Sequence, residues 1–307
     1  MRQPSFPIYI PSKGRPACVT ARLFNKFGIP VRIVVEPQDY AAYAAKWGAE
    51  QVLQLPENNR GLVFARNFCK DHSIAQGDAK HWQFDDDISA FRKVQGGCRV
   101  MCHPALALTF AEDLTDQYHQ VALTSFDLMQ FVQCNITAAV QTPAFSVNRR
   151  CYTCFLVNHE LKNRWRFRYN EDTDMTLQVL TAGWFTLLLH VFHVQAGPTN
   201  NGGTKVKKKG GQMSVYVNDG RLKMARELER VWPGVVKTKR RFGRPQHVIN
   251  WRKFVRPLIR NENAPPLTCD FKLTFPNGEV RSPLLRAVVD KHLAGRDQTG
   301  SSERKSS

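Results

Sequence analysis

Lys80-His81-Trp82-Gln83-Phe84-Asp85-Asp86-Asp87-Ile88 is a short apolar strand that runs straight into three carboxylates. Like charges crowded at a strand end repel, and a divalent cation is the common remedy. Asp85 and Asp87 alternate along an extended chain, so their side chains share one side and can share a metal. Such a metal neutralises a departing diphosphate, which suggests chemistry on a nucleotide-linked substrate. A solvated acidic turn is the competing reading of the same triplet.

Working outward, the first half alternates strand and helix signals. Strands are expected at 6–10, 31–35, 51–55 and 81–84. Helices are expected at 39–47, with Asp39 as N-cap, and at 61–74, with Leu62, Ala65, Phe68 and Cys69 on one face. Repeated βα units imply a parallel sheet with helices on both sides, and ligands bind at the carboxyl ends of its strands. The Pro-Ser-Lys-Gly-Arg-Pro loop at 11–16, Glu36 and the Asp triplet all fall at those ends.

The middle of the chain is more mixed. A helix is expected at 104–118, strands at 121–126, 136–140 and 145–157, and a helix at 172–181 that closes on Gly183. An apolar run at 185–194 holds His190 and His193. The Gly-, Asn- and Lys-rich stretch 197–211 suits a mobile flap over phosphates or a plain linker. Beyond it come an amphipathic helix at 215–232 and a basic cluster at 237–244. Residues 247–260 mix Trp251 and Phe254 with cations, which fits base stacking or a helix that buries the aromatics. Pro276-Asn277-Gly278 marks a hairpin, followed by a short helix at 283–293.

Charge is distributed unevenly. Residues 1–204 carry 20 Lys+Arg and 17 Asp+Glu, a net +3, whereas 205–307 carry 24 and 9, a net +15. A localised basic region points to a polyanion, most often nucleic acid. No apolar run approaches membrane-spanning length and the start is not a signal peptide, so a cytoplasmic protein without a membrane partner is expected. The eight cysteines lack the paired spacing of a zinc site and read as reduced thiols. The expected organisation is 1–204 as a catalytic domain, 205–295 as a basic, mainly helical DNA-binding region, and 296–307 as a disordered tail.

A second acidic cluster, Asn170-Glu171-Asp172-Thr173-Asp174, opens the helix before Gly183-Trp184. Capping and dipole complementarity explain acids at a helix start, and so does a general base. Together the 11–16 loop, Ala65-Arg66-Asn67, Phe84-Asp85-Asp86-Asp87-Ile88, Asn170 to Asp174 and Gly183-Trp184 resemble a GT-A glycosyltransferase. More narrowly, the chain resembles the phage TET-associated glycosyltransferases over about residues 6–204.

The resemblance implies a Rossmann-like α/β domain with a mostly parallel sheet that binds a nucleotide sugar. It implies manganese or magnesium held by Asp85 and Asp87, with Asp86 nearer the donor ribose or sugar. Pro11, Ser12, Arg15, Glu36, Arg66 and Asn67 would meet the donor, expected to be a UDP-sugar. Asp172, with Glu171 beside it, would be the catalytic base of an inverting transfer. A histidine after the late strand would complete the metal shell, and His193 is preferred to His190 as nearer the strand end. The acceptor implied is the hydroxyl of 5-hydroxymethylcytosine in DNA, and the basic region would hold that DNA. Three other readings compete: a GT-A transferase with a glycan, protein or lipid acceptor, a nucleotidyltransferase, and a non-enzymatic DNA-binding protein.

Overall fold

The computed structural model describes residues 1–95, 97–132, 144–197 and 220–265, and the backbone of two short strands at 273–274 and 280–281. The first half is β1 (Ile8–Pro11), α1 (Val19–Lys26), β2 (Arg32–Val35), α2 (Pro37–Trp47), β3 (Val52–Gln54), α3 (Leu62–Ala75) and β4 (Lys80–Phe84). Strands β3, β2, β1 and β4 lie side by side and pair in parallel. Their apolar residues are buried on both faces, as parallel strands covered by helices require. The sequence reading passes over α1, which has eight residues and Cys18 where a capping side chain would stand. Helix α2 starts earlier than expected because Pro37 occupies its first position, where a fixed φ suits a helix start. Asp39 does not cap it. Its carboxylate accepts the Gly14 N–H at 3.0 Å instead.

The rest of the sheet comes from β5 (Ile88–Gln95), β6 (Cys98–Met101), β7 (Val121–Leu128), β8 (Phe145–Val147), β9 (Cys154–Asn158) and β10 (Phe185–Ala196). Helices α4 (Pro104–Asp116) and α5 (Glu171–Thr181) complete this part. The strand order is β3-β2-β1-β4-β9-β7-β10-β5-β6, with β8 also on β10. Strands β7, β10 and β6 run with β1 to β4, and β9, β5 and β8 run against them, so the sheet is mixed but mostly parallel. The stretch 145–157 is not one strand. Asn148 and Thr153 take φ of 55° and 67°, values no strand accommodates. The strand expected at 136–140 lies outside the described residues.

Asp85 to Asp87 link β4 to β5, although β9, β7 and β10 lie between them in the order. Four residue steps reach at most about 14 Å, whereas four flat inter-strand spacings need about 19 Å. The sheet therefore curls, and the acid turn sits at the closure. Strand β10 makes the bend. Leu189 pairs with Phe126 but His193 pairs with the next residue, Asp127, so residues 190–192 bulge out of the β7 register. Inside the curl, Trp82 stacks on Phe126 at 5.6 Å, and Phe91 meets Phe24, Phe84 and Phe126.

The basic region begins with α6 (Gly220–Val231), β11 (Val236–Arg241) and β12 (Arg244–Ile249), followed by a 3-10 turn at Trp251–Phe254. Among the described residues it thus holds one α-helix, a 3-10 turn and two antiparallel strand pairs rather than being mainly helical. Leu177 of α5 packs on Leu228 and Val236, with Trp232, Ile249, Trp251 and Phe254 partly buried around them. Trp251 and Phe254 are each half-buried in this cluster. The Trp232 indole donates to Asp174 at 2.8 Å, and Arg256 stacks on Phe185 at 4.4 Å. Strands β13 (Leu273–Thr274) and β14 (Val280–Arg281) pair antiparallel. The turn 276–278 between them, the helix at 283–293 and the tail at 296–307 lie outside the described residues. No helix among the described residues is long and apolar enough to cross a membrane.

Leu228 is fully buried against α5 although it lies well beyond residue 204. Leu228→Ala is expected to cost about 2–5 kcal/mol in urea unfolding, the range for a buried leucine truncation. A loss under about 0.5 kcal/mol would detach this region from the catalytic core.

Candidate active site at the strand carboxyl ends

The carboxyl ends of β1, β2 and β4 carry Pro11, Glu36 and the Asp triplet on one edge. The triplet is a tight turn pinned from both sides. Val19 and Thr20 N–H groups donate to the Asp86 carbonyl, and the Asp85 N–H donates to the Thr153 carbonyl at 2.8 Å. The Thr20 hydroxyl donates to the Asp85 carbonyl at 2.6 Å and accepts the Ile88 N–H at 2.9 Å. Alternation then separates the side chains. Asp86 turns back under the first loop, where it accepts Ser12 Oγ at 2.6 Å and pairs with Arg15 at 2.6 Å. The Tyr43 hydroxyl joins the same knot, 2.7 Å from Ser12 Oγ, and accepts the Arg15 N–H at 2.9 Å. Glu36 pairs with Lys13 at 2.7 Å on that loop's other flank. The 11–16 loop is thus held in shape by buried carboxylates.

Asp85 faces the other way, toward Arg66 of α3. Arg66 is 2% exposed, donates to Asp85 Oδ1 at 2.9 Å and lies 3.7 Å from Glu171 at the start of α5. Its guanidinium also sits over the Phe155 ring at 4.9 Å. Its Nε has no hydrogen-bond partner among the described residues. Burial pushes the Asp85 carboxyl up to about 6, opposed by Arg66 and reinforced by Asp87, Asp86 and Asp172. Burial and the Asp86 charge also raise Asp87.

Glu171 and Asp172 are neighbours with opposite environments. Burial and the Asp172 charge push Glu171 up to about 7, against the pull of Arg66. Asp172 is also buried, but Arg150 outweighs that and holds its carboxyl below the usual range. Arg150 pairs with Asp172 Oδ2 through Nε, at 3.1 Å, and Nη2, while Oδ1 accepts the Thr173 N–H at 2.6 Å. Both Asp172 oxygens are therefore engaged. Arg150 is absent from the sequence expectations. It follows the irregular stretch after β8, where no period or motif marks it.

The expected residues do not all converge. Asn67 donates to the Trp165 carbonyl at 2.8 Å and accepts the Trp165 N–H at 3.1 Å, bracing a loop. His193 is fully buried, its Nδ1–H donates to the His190 carbonyl at 3.2 Å, and burial pushes it down to about 4. His190 is engaged differently. Its Nδ1 meets Asp127 at 2.8 Å and its Nε2 meets Ser146 Oγ at 2.7 Å, which fastens the β10 bulge to β7 and β8. Among the described residues no three His, Cys, Asp or Glu side chains converge as a metal-holding group, so His193 is not brought together with Asp85 and Asp87.

Two carboxylates in one turn, both with raised pKa, fit a hard divalent cation. Such a cation takes one or two protein carboxylates and completes its shell with water and substrate phosphates. Asp87 suits this role. No other described side chain donates a hydrogen bond to its carboxylate, and Gly197 N–H meets its carbonyl at 3.2 Å. The glycine- and lysine-rich stretch therefore departs from the acid turn itself, and residues 198–219 of it lie outside the described residues.

A curled α/β sheet with an acid turn at its carboxyl edge and a buried acid pair facing it defines a Rossmann-like transferase domain. The model of the TET-Associated Glycosyltransferase family matches residues 6–204, and the chain belongs to that family. The protein is a glycosyltransferase. No curated protein matches the chain.

Asp85 and Glu171 have folded pKa values above their unfolded ones. Between about pH 4 and 7 the folded chain therefore binds more protons than the unfolded chain, and stability falls as pH rises through that window. Water screens part of the effect, because the Asp85 side chain is 37% exposed. The melting temperature, read by circular dichroism without divalent cations, is expected to rise from pH 7 to pH 5. That rise is expected to shrink in the Asp85→Asn/Glu171→Gln double variant. An equal rise in the variant would place its origin elsewhere.

Proposed function

We propose that this glycosyltransferase moves a sugar from a nucleotide sugar to the hydroxyl of 5-hydroxymethylcytosine in DNA. The donor expected from the family resemblance is a UDP-sugar, and the compartment is a cytoplasm that holds both donor and DNA. The observation that carries the reading is the Arg66 bridge, which joins Asp85 of the strand-end turn to Glu171 of α5 inside a family member. Donor and acceptor chemistry thereby meet at one point. The DNA acceptor is supported further by the net +15 of residues 205–307 and by the packing of residues 220–265 against the site helix.

A divalent cation on Asp85 and Asp87 would supply charge neutralisation for the departing diphosphate. The remaining work belongs to the chain. Ser12 and Arg15, tied to Asp86, shape the loop that takes the nucleotide. Arg66 holds Asp85 in position and places positive charge beside the transferring centre. The acceptor hydroxyl loses its proton to a carboxylate at the start of α5. Asp172 is the residue the family pattern suggests, yet Glu171 is better poised. Its pKa near 7 matches a general base, whereas Asp172 has both oxygens engaged and a lowered pKa. Attack from the side opposite the diphosphate inverts the anomeric carbon.

The experiment is mass analysis of nucleosides from DNA incubated with the protein, manganese and a panel of UDP-sugars. A hexose- or pentose-sized gain is expected on hydroxymethylated DNA and on neither cytosine nor 5-methylcytosine DNA. Glu171→Gln is expected to lower transfer about 10²–10⁴-fold with donor binding kept. Donor hydrolysis without any DNA product would redirect the reading to a glycan, protein or lipid acceptor.

A further inference from the structure

The β11–β12 hairpin has a construction that the catalytic core does not explain. Register places Thr238 opposite His247 and Val236 opposite Ile249. This face is covered: Val236 is buried on Leu228, and the Thr238 N–H donates to Glu229 of α6 at 3.0 Å. Alternation puts Lys237, Lys239 and Arg241 on the opposite face, with Arg244 directly across from Arg241. All four are exposed. Like charges directly opposed in a ladder are destabilising. Among the described residues no carboxylate forms an ion pair with Lys239, Arg241 or Arg244. A face of this kind is complementary to a row of phosphates.

The tip is stranger than the strands. Phe242 and Gly243 form the two-residue turn, with φ of 50° and 73°. Both values positive is the type I′ pattern, which favours Asn or Gly at the first position. Phe242 occupies it instead, with a left-handed backbone that a bulky side chain resists and a ring that is 88% exposed. Nothing in the fold uses that ring: among the described residues it makes no aromatic or cation contact. The other end of the hairpin is anchored on the site helix, where Val236 at the root packs on Leu177 of α5.

We propose that this hairpin is the duplex-DNA reader of the enzyme, its cationic face following the phosphates and the Phe242 ring entering the base stack. This rests on the DNA-acceptor reading above. A two-stranded ribbon is a width the major groove admits, and a 5-hydroxymethyl group lies in that groove. Apolar side chains driven between base steps unstack them, and a base loosened in this way is the form a pocket can accept. The hairpin root, packed on Leu177, ties the ribbon to the helix that opens with Glu171 and Asp172, so a loosened base is offered to the acid pair.

The test uses the full chain, no donor, and a duplex with 2-aminopurine beside a 5-hydroxymethylcytosine. Wild type is expected to raise the 2-aminopurine fluorescence severalfold on binding. Phe242→Ala is expected to weaken binding about tenfold or more and, at saturating protein, to give no rise, and Phe242→Leu, still an apolar wedge, to restore it. Arg241→Ala/Arg244→Ala is expected to weaken binding and to flatten the log K against log salt slope by about two. An unchanged rise in Phe242→Ala, an unchanged slope in the double variant, or binding to phosphatidylserine vesicles in place of DNA would overturn the proposal. The two readings fail separately. Sugar transfer to hydroxymethylated DNA with no wild-type rise removes the hairpin and keeps the acceptor. A Phe242-dependent rise with no transfer to any DNA keeps the hairpin and removes the acceptor.

Discussion

A guanidinium in a protein interior has to be met by carboxylates, and Arg66 is met by two that are far apart in sequence. It joins Asp85 to Glu171 and is itself 2% exposed. Removing one member of such a pair leaves an uncompensated buried charge, which is far more costly than the pair itself is favourable. The acid turn and the start of α5 are therefore fixed relative to each other. Around that hub the charges nearly balance. Arg15 answers Asp86 and Arg150 answers Asp172, while Arg66 is divided between two acids. The surplus negative charge falls on Asp87 and on Asp85, which shares Arg66 with Glu171.

The outer layer serves the same helix. Asp174, one turn into α5, is held bidentate by Arg166 and receives the Trp232 indole. Leu177, on the same helix, is covered by Leu228 and Val236. The Glu171-Asp172 pair and the basic hairpin are thus both mounted on α5. That coupling gives the charge asymmetry of the chain a spatial meaning, since the basic hairpin is carried by the helix that opens with the acid pair.

Much of this was legible in the sequence, and the exceptions have physical reasons. Asp85, Asp87 and the Glu171-Asp172 pair sit at element ends, and Arg66 on a helix, that hydrophobic periodicity locates well. Arg150 sits in irregular chain between Asn148 and Thr153, both at positive φ, where no period applies. His193 lies nearer the strand end than His190, but the bulge at 190–192 breaks the regular course of β10 between them and sequence does not mark it. Asn67 lies in the helix expected to reach the donor, but its amide is spent on the Trp165 backbone. Strands β5 and β6 escaped notice because half-exposed, charged strands such as Arg92 and Lys93 carry no clean apolar alternation. The basic cluster at 237–244 was visible as charge, whereas its ribbon shape depends on the positive φ of Phe242 and Gly243.

The central claim is that Asp85 and Asp87 leave a charge deficit that a divalent cation and a diphosphate fill together. Calorimetric titration of UDP, and of the other nucleoside diphosphates, into the full chain with and without manganese measures this directly. Binding is expected to need manganese in wild type and to be lost in Asp85→Asn/Asp87→Asn with the fold intact by circular dichroism. Equal binding without manganese, or full binding in the double variant, would contradict the account.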